Sequence, residues 1–575
     1  MYREEYPRPQ LRRASFINLN GSWQFDFDTA KVGIEKHYEK RTELPYAIEV
    51  PFCPESRLSG LAHTDFIGAC WYRRTFDTPA HENGRVLLHL EAAYYHTRVF
   101  VNETEVGRHD GGYTPFAFDI TDALHAEGEN ALCVYCEGDA RDLAQPSGKQ
   151  SARLESFGCS YTRTTGIWQT VWMEVVPEVS LCAAKLTPDR ENAALHAELT
   201  FAGSGEKQVT LTAFLAGEAV GSARFVTTQN AGFATIALSK RAEWDLQSPT
   251  LYDLRITVQS GRTTDTVESY FGLRSVEWDA KGVKLNGKYV FLRTVLDQGF
   301  YPDGVYTAPS DADLVKDIEL SKAFGFNGAR LHEKVFEQRF LYHCDRLGYL
   351  VFGEFPSWGF DYSRTEYLPI YQREWLASVE RDYNHPAVIG WCPMNENWMV
   401  NGRRQSDEIV RTLYEETKRF DKTRPVIDVS WCYHVATDLY DTHDYTGGIA
   451  DFTRKYAKFT DGKIPDGEES RQPLKYHRSM PFFLSEYGGF RLNDGNNGWG
   501  YGEASENADA FAHRFRAFAS VLLGNPDICG CCYTQLYDVE QEQNGLYTYA
   551  RKEKFSPELI AAMRDAMSAP AAIEE

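Results

Sequence analysis

The chain has 575 residues and a formal net charge of −21, from 61 Lys and Arg against 82 Asp and Glu. This acidic balance disfavours nucleic acids and anionic membranes as partners, and the length exceeds what one hydrophobic core organises. No apolar run is long enough to span a membrane, and the first residues, MYREEYPRPQLRRASF, lack the apolar stretch of a signal peptide. We therefore expect a cytoplasmic protein of several domains.

The first third of the chain consists of short strand-like segments separated by Gly, Asn and Asp turns, among them GSWQFDFD, RVLLHLEAA and HTRVFVNETEVGRH. We expect these segments to form a jelly-roll β-sandwich over residues 1–179. Residues 180–275 continue with alternating strands such as LHAELTFAG and LYDLRITVQSG. About seven short strands in a segment of this length are typical of an immunoglobulin-like sandwich.

The twelve cysteines do not have the spacing of a disulfide framework. Cys133 and Cys136 have the spacing of a redox or zinc pair, but no second Cys or His pair accompanies them, so we interpret them as strand residues. The adjacent Cys531 and Cys532 lie in an apolar run and are expected in the core. The sequence thus predicts no metal site and no cofactor.

From residue 276 to residue 575, strands alternate with helix-like segments. The first helix is expected to begin after Ser310 as N-cap and to end at Gly325. This alternation predicts a (β/α)8 barrel; a doubly wound sheet is the alternative, but no Gly-rich phosphate turn supports it. The eight predicted strands are YVFLRTVLD, FNGARLH, YLVFGEFP, VIGWCPMNE, PVIDVS, DLYDTHDY, PFFLSEYG and ICGCCYTQLYD.

Almost every one of these strands ends in a polar or ionisable side chain. In a (β/α)8 barrel the active site lies at the carboxyl ends of the strands, so these side chains are candidates for one site. The candidates are Asp297, His332, Glu354, Asn395, Glu396, Asp441, His443, Glu486, Gln535 and Asp538.

Glu396 and Glu486 end strands four and seven, which face each other across a barrel mouth. Two carboxylates across a cleft can break a glycosidic bond, one as a protonated acid with a pKa raised by burial and one as an ionised nucleophile. Each has an ordinary structural explanation as well, since Glu486 could pair with Arg330 and Glu396 could cap the next helix. Glu354 is a third carboxylate that position alone does not exclude.

Three segments resemble successive landmarks of glycoside hydrolase family 2, which includes β-galactosidases, β-glucuronidases and β-mannosidases: RTTGIWQTVWMEVVP, RDYNHPAVIGWCPMNEN and FLSEYGG. The resemblance implies the same order of sandwich, immunoglobulin-like domain and barrel. It also implies that Glu396 is the general acid/base and Glu486 the nucleophile of a retaining mechanism. Asn395 would then hydrogen-bond the sugar 2-hydroxyl, and Tyr487 or Tyr445 would steady the nucleophile.

Three departures from the family pattern concern residues expected near the sugar pocket. The segment RLHEKVF keeps Arg330 but brings His332 one residue early and lacks the family's Tyr-Pro. Thr534 stands where β-glucuronidases and β-galactosidases have a Trp, and Ser160 stands where they have an acidic residue from the jelly roll.

The residues that hold the uronate carboxylate in β-glucuronidases also differ in this chain. β-Glucuronidases place an Asn-x-Lys pair just before the glycine of the last barrel loop, where this chain has Glu542 and Asn544. A carboxylate repels another carboxylate, so a uronide is disfavoured unless Lys334 or Arg163 supplies a different grip.

A retaining exo-β-glycosidase for a neutral, galactoside-like sugar is therefore the first prediction, acting on a small carbohydrate without nucleic acid or membrane. A β-hexuronidase and a galactofuranosidase or arabinosidase are the alternatives within the family. An inactive carbohydrate-binding protein is the alternative outside enzymes, although binding alone does not need a carboxylate pair. The family analogy implies a homodimer or tetramer.

Several further side chains are expected to contact the sugar. The loop 488–503, which carries Trp499, could cover the pocket as a lid, although a simple solvated loop is an equal alternative. The expected sugar contacts are Asp297, His332, Asp441, His443, Tyr445, Tyr487, Trp499, Gln535 and Asp538.

Overall fold

The computed structural model describes residues 3–81, 84–400, 402–431, 433–459, 473–493, 495 and 498–575. The N-terminal part is a β-sandwich with strands β1 (Ile17–Asn18), β2 (Gly21–Phe27), β3 (Tyr46–Val50), β4 (Ala69–Asp77), β5 (Gly84–Leu90), β6 (Ala93–Tyr94), β7 (His96–Val101), β8 (Thr104–Asp110), β9 (Phe116–Asp119), β10 (Glu129–Glu137), β11 (Gly166–Ile167) and β12 (Val171–Pro177). Its two main sheets have the orders β1-β12-β5-β9 and β3-β2-β4-β10-β7-β8, and β11 pairs with β6. The faces turned toward each other enclose an apolar core that includes Trp23, Leu88 and Val134.

A second sandwich follows without an intervening helix. Its strands are β13 (Ser180–Asp189), β14 (Ala194–Ala202), β15 (Lys207–Leu215), β16 (Glu218–Thr227), β17 (Ala231–Ala237), β18 (Tyr252–Ser260) and β19 (Thr263–Phe271). They form a three-stranded sheet, β13-β14-β17, and a four-stranded sheet, β16-β15-β18-β19. In β18 buried residues alternate with exposed ones, which is why this face of the sheet packs onto the core. Seven strands in two sheets form the predicted immunoglobulin-like architecture.

The last part of the chain is the barrel, preceded by the antiparallel strands β20 (Val276–Trp278), β21 (Val283–Leu285) and β22 (Lys288–Tyr289). Its strands are β23 (Leu292–Asp297), β24 (Gly328–Leu331), β25 (Leu350–Glu354), β26 (Val388–Cys392), β27 (Met394–Asn395), β30 (Val429–Ser430), β31 (Tyr440–Asp444), β32 (Phe482–Gly488) and β33 (Ile528–Thr534). A small hairpin, β28 (Met399–Val400) with β29 (Arg403–Arg404), follows strand four. The helices are α1 (Asp311–Ala323), α2 (Gln338–Leu347), α3 (Leu368–Asp382), α4 (Asp407–Phe420), α5 (Ile449–Tyr456), α6 (Ala508–Leu523) and α7 (Pro557–Met567). Short 3₁₀ helices span Pro9–Leu11, Tyr38–Lys40, Thr121–Ala123 and Thr365–Tyr367.

Seven parallel strands lie side by side in the order β26-β25-β24-β23-β33-β32-β31. The predicted fifth strand, PVIDVS, lies between the two ends of this sheet. The Ile427 amide donates to the Trp391 carbonyl at 2.9 Å, and the Asp438 amide donates to the Val426 carbonyl at 2.9 Å. All eight predicted segments thus contribute to the barrel. Between β30 and β31, the described residues 431 and 433–439 contain no helix.

Local signals place the first barrel helix as predicted. The Ser310 side chain accepts a hydrogen bond from the Asp313 amide, and Gly325, just past the helix, has the positive φ of a helix terminator. Cys133 and Cys136 both lie buried in β10, and the eleven described cysteines form no disulfide with one another. Among the described helices, none combines the length and apolar character that crossing a membrane requires.

A loop of the jelly roll reaches the mouth of the barrel. The amides of Ser147 and Gly148 donate to the Trp358 carbonyl at 3.1 and 2.9 Å. Gly148 has φ +58°, and a Cβ there would lie 2.5 Å from the carbonyl oxygen of Glu333. Only glycine permits so close an approach in this conformation, and the approach carries the next residue, Lys149, over the barrel mouth.

Candidate active site

Glu396 and Glu486 converge at the carboxyl ends of strands four and seven. Glu396 directly follows β27 and has φ +53°, a left-handed conformation that ends the strand there. Its side chain is 28% exposed, whereas that of Glu486, inside β32, is 4% exposed. One carboxylate oxygen of each lies within 4.8 Å of the other. The next helix, α4, has Ser406 as its N-cap, so helix capping does not account for Glu396.

The buried guanidinium of Arg330 organises this end of the barrel. It donates to Glu354 Oε1 at 2.5 Å, to Glu486 Oε1 at 3.1 Å and to Asn395 Oδ1 at 3.0 Å. Burial works to raise the pKa of Glu486, but the charges of His443 and Arg330 outweigh it and hold this pKa below its ordinary value. The predicted pairing of Glu486 with Arg330 therefore exists, and it favours the ionised form of Glu486.

His443 lies between the two glutamates. Its Nδ1 is 2.8 Å from Glu396 Oε1 and 3.5 Å from Glu486 Oε2, and its Nε2 is 3.0 Å from Ser430 Oγ. Burial works to raise the pKa of Glu396, yet the hydrogen bond and the charge of His443 lower it to about 2. Burial alone would raise the pKa of this carboxyl, as the sequence led us to expect for one of the two glutamates, but the imidazole reverses the effect.

Asn395 is oriented by its neighbours. Because Arg330 only donates, its contact with Oδ1 turns the Asn395 NH2 group away from it. That Nδ2 atom is buried and has no hydrogen-bond partner within the described residues. The amide is thus available to donate to a ligand beside Glu396.

The structure brings Tyr445, and not Tyr487, to the carboxylate of Glu486. The Tyr445 hydroxyl donates to Glu486 Oε2, and its ring stacks on Tyr501 at a centroid distance of 3.5 Å. Tyr487 follows Glu486 on the same strand and points to the opposite face, where it packs against Phe452 and Tyr533.

Two predicted side chains support the site from beneath. His332 Nδ1 lies 3.0 Å from Glu354 Oε2, so Glu354 is held between His332 and Arg330 and acts as their partner. Asp441 accepts from Ser430 Oγ at 2.8 Å, beneath His443.

Asp297 and Asp538 lie apart from the two glutamates. Asp297 accepts from the Tyr537 hydroxyl and from the Gly299 amide. Asp538 lies 2.6 Å from the Lys554 ammonium. Neither carboxylate has a hydrogen bond or ion pair with Glu396 or Glu486 in the part of the chain that the structure describes.

The end of strand eight and the loop before Gly545 carry three buried polar side chains, Gln535, Glu542 and Asn544. Gln535 Nε2 donates to Asn544 Oδ1 at 2.7 Å, and Gln535 Oε1 is buried without a partner among the described residues. Glu542 accepts from the Tyr161 hydroxyl and from Asn544 Nδ2, and burial raises its pKa.

The loop 488–503 is described except for residues 494, 496 and 497. Trp499 Nε1 donates to the Gly158 carbonyl of the jelly roll at 2.9 Å, and its ring meets Tyr501 edge-on. The loop therefore joins the barrel to the jelly roll beside Tyr445, the partner of Glu486, while its role as a lid stays a prediction.

Lys149 is a site residue that the sequence argument missed. It is 5% exposed, and its ammonium lies 3.5 Å from the centroid of the Trp358 ring without an ion pair or hydrogen bond to any described residue. Burial opposes its charge, but Cys159, Glu396 and Glu542 outweigh burial and raise its pKa. No local signal marks Lys149, because it reaches the site from another domain.

Lys334 and Arg163, the two cations that could have bound a uronate, donate to backbone carbonyls instead. The Lys334 ammonium donates to the carbonyls of Gly299 and Tyr306 at 2.5 and 2.7 Å, and burial lowers its pKa to about 8. The Arg163 guanidinium donates to the carbonyls of Thr64 and Leu154, among others.

Glu396, His443 and Glu486 are the described residues whose arrangement most resembles a metal-ligand set. The 2.8 Å between His443 Nδ1 and Glu396 Oε1 is, however, the distance of a charge-assisted hydrogen bond. The cluster is therefore a carboxylate–imidazole pair beside a second carboxylate.

Comparisons with known proteins agree with this architecture. Three family models match: "Glycosyl hydrolases family 2, sugar binding domain" at residues 16–142, "Glycosyl hydrolases family 2" at 181–274 and "Glycosyl hydrolases family 2, TIM barrel domain" at 279–511. A β-galactosidase of Thermoanaerobacterium thermosulfurigenes is 24% identical over 82% of this chain and 64% of its own length. A β-glucuronidase of Paenibacillus borealis is 25% identical over 74% of each chain.

Solved structures share the fold. The β-glucuronidase of Ruminococcus gnavus in complex with D-glucuronic acid has a TM-score of 0.78 at 19% identity, over 98% of this chain and 100% of that one. The β-glucuronidase of Dictyoglomus thermophilum has a TM-score of 0.78 at 18% identity, over 99% of this chain and 100% of that one. Because the three family models match the jelly roll, the immunoglobulin-like domain and the barrel in turn, the chain belongs to glycoside hydrolase family 2.

Proposed function

We propose that the chain is a retaining exo-β-glycosidase with Glu486 as nucleophile and Glu396 as general acid/base. The observation that carries the proposal is the approach of their carboxylate oxygens to within 4.8 Å. Retaining glycosidases hold their two carboxyl groups about 5–5.5 Å apart, whereas inverting enzymes leave about 6.5–9.5 Å for a water molecule. The short separation supports direct attack of Glu486 on the anomeric carbon.

In the first step Glu486, kept ionised by His443 and Arg330, attacks carbon 1 while Glu396 protonates the glycosidic oxygen. The C1–O bond breaks, a C1–Glu486 ester forms and the aglycone leaves as a neutral alcohol. In the second step Glu396 takes a proton from water, which attacks carbon 1 and frees Glu486. The greater exposure of Glu396 suits this assignment, because the aglycone and the water both approach from the open side.

For the sugar, the first candidate is a neutral, galactoside-like ring. Glu542 and Asn544 occupy the position of the uronate-binding pair of β-glucuronidases, and Glu542 is buried and hydrogen-bonded to Tyr161 and Asn544. Lys334 and Arg163, the two cations considered as substitutes, are bound to backbone carbonyls. These contacts support a hydroxyl-rich neutral sugar, and a galactofuranoside or arabinoside is the alternative of the same kind.

A β-hexuronide is the second candidate, and Lys149 is the observation that favours it. The Lys149 ammonium has no hydrogen bond or ion pair with the described residues, so its N–H groups can donate to a ligand. A substrate carboxylate beside the Trp358 ring would accept a charge-assisted hydrogen bond from it.

A panel of nitrophenyl glycosides separates these candidates: β-galactoside, β-glucoside, β-glucuronide, β-galactofuranoside and α-L-arabinosides, with the product anomer followed by NMR. If the substrate is neutral, Lys149→Met should change kcat/KM less than about 3-fold. If it is a uronide, Lys149→Met should lower kcat/KM about 10–100-fold, which corresponds to one hydrogen bond between charged groups. Lys288→Met, at an exposed position on β22, is the matched control.

Two outcomes would contradict the proposal. An inverted product anomer would exclude the covalent intermediate at Glu486. Binding without hydrolysis across the whole panel would favour an inactive carbohydrate-binding protein.

A further inference from the structure

A continuous line of hydrogen bonds leads from Glu396 into the barrel. Glu396 Oε1 meets His443 Nδ1 at 2.8 Å, His443 Nε2 meets Ser430 Oγ at 3.0 Å, and Ser430 Oγ donates to Asp441 Oδ2 at 2.8 Å. Beyond Asp441 lies His434, whose Nε2 is 3.2 Å from Asp441 Oδ1. Apart from Glu396, every member of this line has a side chain that is almost completely buried.

The number of donors that each group has determines where most of the protons in this line lie. A serine hydroxyl has one proton, and Ser430 uses it toward the Asp441 carboxylate, which can only accept. His443 Nε2 must therefore carry a proton and donate it to Ser430. Burial works against the charge of His434, but Asp428, with its Oδ1 2.7 Å from Nδ1, outweighs it and raises the pKa of His434 to about 10, so a cation lies 3.2 Å from Asp441 Oδ1.

With Nε2–H fixed, one proton remains mobile in the line. It lies in the 2.8 Å contact between His443 Nδ1 and Glu396 Oε1. On Nδ1 it makes an imidazolium beside a carboxylate; on Glu396 it makes a carboxylic acid beside a neutral imidazole. Both arrangements keep every hydrogen bond of the line.

We propose that His443 stores the catalytic proton of Glu396, with Ser430 and Asp441 holding its ring in the tautomer that this exchange needs. The proposal rests on the glycosidase mechanism above. His443 and Ser430 act through Glu396 and are positioning residues.

The proton balance of the two steps closes. As the C1–O bond breaks, Glu396 gives its proton to the leaving oxygen, and the proton on His443 Nδ1 is the one that supplied it. In the second step Glu396 removes a proton from the attacking water and returns it to Nδ1. Ser430, Asp441 and His434 exchange no net proton.

The charges around the pair favour storage on the imidazole before the substrate binds. Burial opposes the charge of His443, but Glu486 and Glu396 outweigh it and raise its pKa, although Arg330 works in the other direction. Lys149 and His332 add positive charge near Glu396 and lower its pKa further. A neutral aglycone that covers Glu396 screens it from water, which favours moving the proton onto the carboxylate.

The test uses the full chain and aryl glycosides of the sugar that the panel identifies, with leaving groups of different pKa. His443→Phe should lower kcat/KM about 100-fold or more for phenyl glycosides, which need protonation, and less than about 5-fold for dinitrophenyl glycosides, which do not. Azide, which attacks without a general base, should raise kcat of this variant on the dinitrophenyl glycoside. An equal loss with every leaving group would overturn the proposal, because that is the result of a merely structural role.

Ser430→Ala removes only the hydroxyl that accepts from Nε2, and it keeps the proposal testable if His443→Phe does not fold. The imidazolium loses one hydrogen bond, so the stored proton should leave at lower pH. The basic limb of kcat/KM should move down by about half to one pH unit. An unchanged pH profile would refute the role of Ser430 and Asp441.

Labelling distinguishes this proposal from the glycosidase proposal. A 2-deoxy-2-fluoro glycosyl fluoride needs Glu486 but no acid, since fluoride leaves without a proton. If the unmodified chain is not labelled at Glu486, the glycosidase proposal fails. If it is labelled and His443→Phe loses activity equally with all leaving groups, only the storage of the proton fails.

Discussion

Replacing Arg330 by Met should destabilise the barrel, because this guanidinium compensates two buried carboxylates. Its side chain is fully buried and donates to Glu354 at 2.5 Å and to Glu486 at 3.1 Å. Met has a comparable length but supplies neither charge nor donors. Removing one partner of a buried ion pair costs about 3–5 kcal/mol, since the other charge stays buried without compensation.

The pH dependence of this cost has a definite sign. Burial works to raise the pKa values of Glu354 and Glu486, and Arg330 works to lower them. A depressed carboxyl pKa contributes stability above the unfolded pKa, and this stability is lost as the pH falls through the folded pKa. Without Arg330 the carboxyls accept protons more readily. The cost of the variant should therefore be largest at neutral pH and smaller near the ordinary glutamate pKa of about 4.3.

Calorimetric unfolding measures this cost. For a domain of barrel size, 1 kcal/mol shifts Tm by about 2 °C, so the barrel transition should fall by about 6–10 °C at pH 7.5. Arg224→Met, at an exposed position on β16, is the matched control and should stay within about 0.5 kcal/mol of the unmodified chain. A shift below about 2 °C at pH 7.5, or a cost that grows toward acid pH, would refute the assignment of Arg330 as the compensating cation.

Glu486→Gln should lower kcat about 10⁵-fold, because the amide is no nucleophile, while the barrel stays folded since Gln still accepts from Arg330; steady-state kinetics with circular dichroism check both, and surviving turnover would point to another nucleophile. Glu354→Gln is its counterpart: it should retain measurable turnover but lower the Tm, because Arg330 and His332 lose their shared anion. Tyr445→Phe should lower kcat/KM about 10–100-fold, the value of one hydrogen bond to a charged group, at nearly unchanged Tm because the ring still stacks on Tyr501; an increase in KM alone would contradict a role at the nucleophile.

The barrel could be predicted because its strands are short apolar runs that end in polar residues. PFFLSEYG and ICGCCYTQLYD became β32 and β33, and Ser310 and Gly325 marked the first helix. The weakest match is the fifth strand, where PVIDVS contributes only two residues of regular strand. Its buried polar residues bind side chains in place of a regular ladder, for example Asp428 with His434.

The candidate site could be predicted in position but not in detail. A strand end determines where a residue lies but not toward which face its side chain points. The sequence therefore predicts Asp297 and Asp538 as sugar contacts, although their side chains bind other residues. Neighbouring residues on a strand point to opposite faces, so the separation of Tyr487 from Glu486 could have been predicted from the sequence. The contact of His443 with Glu396 depends on how the ends of strands four and six meet, and nothing local encodes that distance.

The residues proposed for catalysis and some of those proposed for sugar specificity lie in different domains. The residues proposed to move protons and to attack carbon 1 all follow or end barrel strands, where eight parallel strands fix them to one another. Lys149 and Tyr161, by contrast, reach the site on a jelly-roll loop that Gly148 brings close to the barrel. For glycosides with the same leaving group, changes to the strand ends should therefore affect neutral and acidic sugars alike, whereas changes to the loop should alter the ratio of kcat/KM between these sugars. Lys149→Met and Glu486→Gln, measured on the same panel, test this separation directly.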